Sequence, residues 1–204
     1  MNLSSGLLEA AVKEFSTLPG IGKKTALRLV LHLLKQPINE VQHFSDTIAR
    51  MRKEIRFCAK CHHIADNELC SICLNPARKK ETICVVETIR DVIAIESTDQ
   101  YHGVYHVLGG VISPLDGIGP DQLTIEALSN RVKTEETSEI VFALSPTIQG
   151  DTTIYYIRKK LNDPKLKFTT IARGIAFGGE LEYADEMTLA KSIRNRLPVD
   201  SYMQ

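Results

Sequence analysis

Four of the five cysteines in this 204-residue chain form two close pairs, Cys58-x2-Cys61 and Cys70-x2-Cys73. A Cys-x2-Cys turn brings two sulfurs together on one tight knuckle. Two such knuckles make a tetrahedral thiolate site of the kind zinc prefers. Four thiolates leave no open position for a substrate, so the chemistry expected is structural. Metal binding would supply the folding energy that a short, loop-rich segment cannot find in a core of its own. His62 and His63 lie in the first knuckle and can replace a sulfur, although four cysteines make that unnecessary. Cys84 sits in an apolar run and reads as a small buried side chain.

The string LPGIGKKTALRL at 18–29 points to a different chemistry, anion binding. Gly20 and Gly22 allow a tight turn that approaches a phosphate closely. Backbone N–H groups near Gly20, Gly22 and Lys23, at the start of a helix, are free to donate to an anion. Lys23, Lys24 and Arg28 add positive charge on the same surface. Contacts of this kind read the phosphate backbone and not the bases, so the DNA binding they imply is sequence-independent and salt-sensitive. An ordinary helical hairpin, or a turn that docks a protein, fits the same residues.

Two carboxylates form a third candidate. Glu87 closes the apolar run ICVVE, and Asp151 follows FALSPTIQG. Acids at the carboxyl ends of neighbouring parallel strands line a ligand crevice and can hold magnesium through a few oxygens and several waters. A structural role fits them equally: Glu87 paired with an arginine, and Asp151 capping a helix that begins at Thr152.

These residues need elements to position them. The composition, 43% hydrophobic and 25% charged, supports a packed core and argues against disorder. Net charge is zero but uneven: residues 1–80 hold 13 Lys or Arg against 7 Asp or Glu, and residues 81–204 hold 12 against 18. A basic front half suits a polyanionic partner, and an acidic back half suits a metal or a basic protein surface. Helices are expected over about 7–17, 23–35 and 39–56. In the third, Val41, Phe44, Ile48, Met51 and Ile55 predict one buried face. From residue 81, ETICVVE, GVYHVLG, SEIVFALS and LKFTTIA read as strands that alternate with helical stretches at about 90–97, 121–134 and 152–161. That alternation predicts a mostly parallel α/β sheet. A last helix is expected at 184–196. The loop GGVISPLDGIGPDQ is rich in Gly, Pro and Asp and is long enough to carry function. No apolar run approaches the roughly 20 residues of a membrane span. The N-terminus lacks the pattern of a secretory signal, so a cytoplasmic location is expected.

Taken together, the hairpin string, the four cysteines, YHVLGGVISPLDGIGPD at 105–121 and IARGIAFGGELEYADEMTL at 171–189 resemble the RecR family of bacterial recombination mediators over nearly the whole chain. The resemblance implies four modules: a helix–hairpin–helix region at 1–56, a four-cysteine zinc finger at 57–80, a Toprim domain at 81–175 and a C-terminal helical segment at 176–204. It also implies a ring-shaped homotetramer around DNA, partnership with RecO and RecF, and help in loading recombinase on single-stranded DNA. Under it, Lys24 and Arg28 are DNA contacts, Lys23 stands where the family usually has proline, and Cys58, Cys61, Cys70 and Cys73 hold zinc. Catalytic Toprim domains pair a strand-end glutamate with an Asp-x-Asp motif. Here the motif reads Gln149-Gly150-Asp151, one acid short, and two-metal phosphoryl chemistry needs several carboxylates. The expected role is therefore a non-catalytic clamp with weak magnesium affinity at most. The rival is a magnesium-dependent nuclease or primase-like enzyme.

Overall fold

The structure, a computed structural model, describes residues 5–175 and 178–202. The chain divides into two compact units, 1–55 and 56–204. Residues 176 and 177, inside the second family-like string, lie outside the described residues.

The first unit is helical. Helix α1 (Gly6–Phe15) is capped by Ser5, whose hydroxyl accepts from the Leu8 amide at 3.4 Å. The LPGIG turn then leads into α2 (Lys23–Leu33). Val12, Ala26 and Val30 form a small buried core between these two helices, edged by Leu8, Ala11, Phe15 and Leu27. Helix α3 (Ile38–Glu54) runs over the expected span, but the expected buried face is absent: α3 has no buried residue. Phe44, Ile48, Met51 and Ile55 are all exposed. The period is that of an amphipathic helix, yet the stripe is exposed among the described residues.

The second unit begins with a two-stranded antiparallel ribbon, β1 (Arg56–Phe57) and β2 (Ile64–Ala65), followed by the single turn α4 (Ser71–Leu74). The remainder is a four-stranded sheet. Its strands are β3 (Lys79–Val86), β4 (Gly103–Val107), β5 (Glu139–Ala143) and β6 (Lys167–Thr170). The order is β4-β3-β5-β6, and every pairing is parallel. Helices α5 (Ile89–Glu96), α6 (Ile125–Thr134) and α7 (Ile148–Leu161) make the connections. Two-residue alternation sorts each strand between the faces. Ile83, Val85, Ile140 and Phe142 pack with Leu128 of α6 and Ile157 of α7. Cys84, Val86, Tyr105 and Val107 pack with Val92 of α5 and with Ile72 beside the zinc-type knuckle. Cys84 is 2% exposed, and burial pushes its thiol up to about 12, consistent with an inert core residue. Helix α8 (Glu186–Arg194), capped by Asp185, and the short α9 (Val199–Tyr202) follow the sheet. No helix among the described residues is long and apolar enough to cross a membrane.

Helix α7 begins four residues earlier than expected. Thr147 is its cap, its hydroxyl accepting from the Gly150 amide at 3.1 Å. Gly150 lies inside the first turn, where a Cβ would meet the Ser145 carbonyl oxygen at 2.1 Å. This close backbone approach requires glycine and draws the helix start back against the end of β5. Asp151 is therefore a first-turn residue of α7 and not its cap.

Candidate metal centre and nucleic-acid interface

The sulfur cluster is built by local hydrogen bonding. The Cys58 amide donates to the His63 carbonyl at 2.7 Å and the His62 amide to the Cys58 carbonyl at 3.0 Å, closing the first knuckle. His62 takes the left-handed conformation, φ 60°, that the turn demands. The second knuckle is the start of α4, where the Leu74 amide donates to the Cys70 carbonyl at 3.1 Å. The four Sγ atoms come within 4.8 Å of one another, and all four cysteines are buried. Tetrahedral sulfurs about 2.3 Å from a zinc ion lie at such separations. Hydrogen bonds from Cys61 and Cys73 push the Cys70 thiol well below the ordinary range, and its pairing with Cys70 pushes the Cys61 thiol up. Sulfurs this close ionise together only around a cation, so the donor set fits a structural zinc. Among the described residues this is the one cluster of three or more candidate metal ligands. His62 and His63 are not in it.

The knuckle is fastened to the sheet through polar contacts that the sequence did not disclose. The Val107 amide of β4 donates to the Cys61 carbonyl at 2.8 Å. The His62 ring meets His106 edge-on, centroids 5.2 Å apart. His106 is fully buried, with Nε2 at 3.0 Å from the Thr124 carbonyl oxygen. Burial is the main force that holds His106 neutral, pushing it down to about 3, and the nearby Arg131 charge adds to it. Arg131 is itself buried. Its Nη1 donates to the Tyr105 carbonyl at 2.7 Å and its Nε lies 3.2 Å from Glu135, which also takes Lys60 at 3.1 Å.

In the helical unit, the hairpin loop is exposed at Gly20, Gly22, Lys23, Lys24 and Arg28. Gly20 has φ +79°, a left-handed turn that only glycine adopts without strain. Gly22 is extended, φ −80°, so its backbone does not require glycine. A Cβ at either position would meet nothing within 4 Å, which leaves open space over the loop. Ala26 is the first α2 residue whose amide is paired, onto the Gly22 carbonyl at 2.9 Å, and no side chain caps the helix. The amides of Lys23, Lys24 and Thr25 therefore keep their hydrogen-bonding capacity, beside two lysines and at the positive end of the helix dipole.

The two acids have separate partners. Glu87 follows β3 and accepts from the Ser145 amide at the end of β5. Asp151 is bound to Arg173 at 2.7 Å. It is thus Asp151, and not Glu87, that pairs with an arginine.

An exposed amide-rich hairpin, a four-sulfur centre and a parallel α/β sheet define a zinc-containing DNA-binding protein of modular build. Four family models match in chain order. They are the RecR helix-hairpin-helix at 8–52, the RecR four-cysteine zinc finger domain at 55–75, a Toprim domain at 81–172 and the RecR C-terminal region at 174–197. Proteins named Recombination protein RecR are 56% identical in Flavobacterium johnsoniae (98% of this chain, 97% of that protein), 58% in Amoebophilus asiaticus (97% and 98%) and 59% in Cytophaga hutchinsonii (96% of each). The chain belongs to the RecR family, and is a recombination and repair protein.

Proposed function

We propose that the chain is a non-catalytic clamp in the cytoplasm that binds DNA without sequence preference and, with RecO and RecF, helps load recombinase on single-stranded DNA. The observation that carries this reading is the exposed hairpin, with free amides backed by Lys23, Lys24 and Arg28. We assign the DNA contacts to Gly20, Gly22, Lys23, Lys24 and Arg28. The module bounds we propose are 1–56, 57–80, 81–175 and 176–204. Lys24→Ala with Arg28→Ala is expected to weaken duplex DNA binding at least about tenfold. It should also flatten the plot of log affinity against log salt by roughly 0.9 for each phosphate that is no longer neutralised. Fluorescence anisotropy at several salt concentrations checks this, and an unchanged slope would remove the hairpin from the DNA surface.

Two observations support the non-catalytic role. Gln149 stands where a catalytic Toprim domain has an acid, and Asp151 is already neutralised by Arg173. Glu87 and Asp151 are then acids for partner contact, with weak magnesium affinity at most. Magnesium-dependent nicking that disappears in Glu87→Ala would reverse this assignment.

The uncovered stripe of α3 supports self-assembly into a homotetramer. A cavity of about 760 Å³ lies in the same unit, lined by Leu7, Leu34, Ile38, Val41 and Phe44 among others. An apolar surface of this kind on so small a unit marks a protein contact. Light scattering is expected to give a tetramer for the native chain and a smaller species for Phe44→Glu with Ile48→Glu. A monomeric native chain would end the ring interpretation.

A further inference from the structure

A second cationic feature lies in the sheet-bearing unit and is not explained by the hairpin. Between β6, α7 and α8 there is a cleft of about 730 Å³. It shares Ile171, Ala172, Arg173 and Lys191 with an adjoining hollow of about 430 Å³. Four cationic side chains line the two: Arg158, Arg173, Lys191 and Arg194. The lining carboxylates are Asp151 and Asp185, and both are occupied. Asp151 is held by Arg173 at 2.7 Å, and Asp185 caps α8 by accepting from the Thr188 amide at 2.9 Å. Arg158, Lys191 and Arg194 have no anionic partner among the described residues. Positive charges gathered around a concave surface repel one another and focus a field that draws an anion in.

The cleft is also apolar. Phe168 stacks on buried Phe142 with ring centroids 6.1 Å apart and planes 8° apart, and Ile154, Ile171 and Leu197 extend the apolar lining. Phosphate-binding cations over a flat aromatic surface are the two parts of a single-strand site: one tracks the backbone, the other stacks an unpaired base. An inorganic anion would use only the cations, and a duplex keeps its bases stacked on each other. At the same place, the acid that would attract a divalent cation in a metal-dependent Toprim site is cancelled by the chain's own guanidinium, which turns the local preference from cation to anion.

We propose that this cleft is a second nucleic-acid site, in which Arg158, Lys191 and Arg194 hold phosphates of a single strand and Phe168 supports a base. The inference rests on the DNA-binding reading above and adds a contact region to it. Arg173 is a positioning residue, fixed by Asp151.

The test uses the full chain with a fluorescent oligothymidylate, titrated at several salt concentrations. Arg158 and Arg194 are exposed, so Arg158→Ala with Arg194→Ala should leave the fold intact. That variant is expected to bind the single strand about tenfold more weakly. Its salt slope should be shallower by roughly 1.4, from two phosphates released at about 0.7 each. An oligonucleotide carrying 5-iododeoxyuridine should crosslink within residues 167–173. Unchanged affinity and slope, or crosslinks confined to residues 18–28, would overturn the proposal. So would thymidine monophosphate or inorganic phosphate competing as well as the strand at equal phosphate, since the site would then serve a free anion. An acidic, phenylalanine-containing peptide whose binding is lost in the variant while the strand still binds normally would make the cleft a peptide site instead. If the native chain binds the strand and only Lys24→Ala with Arg28→Ala weakens it, this inference alone fails. If the native chain binds no DNA at any salt, the clamp reading fails with it.

Discussion

Cys58→Ser is expected to remove zinc from the protein and to lower its thermal midpoint. Native protein should carry one zinc per chain, and the variant almost none, by a colorimetric chelator assay on freshly purified samples. The physical reason is that a serine hydroxyl does not ionise near neutral pH and is a poor ligand for this ion, so a closed site becomes an open one. Structural zinc contributes about 10–16 kcal/mol to isolated fingers. Here the sheet has its own core, so the loss should be smaller, on the order of 3 kcal/mol or more, at about 2–4 °C of midpoint per kcal/mol. The damage should reach the sheet, because the Cys61 carbonyl accepts from Val107 and Ile72 packs against the face that carries Cys84 and Val86. Cys84→Ser is the internal control. It places a hydroxyl in the core and costs some stability, but it should retain zinc, since Cys84 is not among the clustered sulfurs. Zinc retention in both the native protein and this control should also fall as pH falls, because protons compete for the thiolates. Native protein with no stoichiometric zinc would contradict the assignment of the four-sulfur centre.

What could be read from the sequence was chemistry whose partners are close along the chain. The cysteine pairs sit on two short knuckles, and the hairpin's glycines and lysines are contiguous. The strands announced themselves because a parallel sheet covered on both faces demands near-continuous apolar runs such as ICVV. Two kinds of feature were hidden. One was any position set by a backbone approach, such as Gly150 against Ser145, which moved the start of α7 and took Asp151 off the cap. The other was any pairing across the fold. Nothing near Arg131 in sequence shows that it reaches the Tyr105 carbonyl, 26 residues away. Nor does anything near Asp151 show that Arg173 will neutralise it. The α3 stripe differs again: its period is that of an amphipathic helix, but period does not say what covers a face, and among the described residues Phe44, Ile48, Met51 and Ile55 stay exposed.

Arg131→Met should destabilise the sheet-bearing unit by about 3 kcal/mol, the lower end of the range for breaking a buried charge pair. Methionine preserves much of the length and apolar volume, so the loss reports the guanidinium. Without it the Tyr105 carbonyl loses its donor and Glu135, 24% exposed, keeps only Lys60. Lys60→Met removes the other cation from a more exposed position and should cost under about 1 kcal/mol. Arg131→Met with Glu135→Gln should recover part of the deficit, because the carboxylate left behind is then neutral. The pH dependence supplies an independent check. Burial first, and Arg131 after it, lower His106 from the ordinary 6.5 to about 3. Over that window the unfolded chain binds a proton that the folded chain refuses. The stability from neutral His106 is therefore complete above about 6.5 and is lost as pH falls towards 3. Removing Arg131 raises the folded pKa of His106 and shrinks this loss. The gap between variant and native protein, measured by urea unfolding, should then narrow as the solution is acidified. A gap that stays constant from pH 7 down to about pH 3, the range in which folded His106 begins to take up its proton, would mean that Arg131 acts on the fold only through its hydrogen bonds, and not through its charge beside His106.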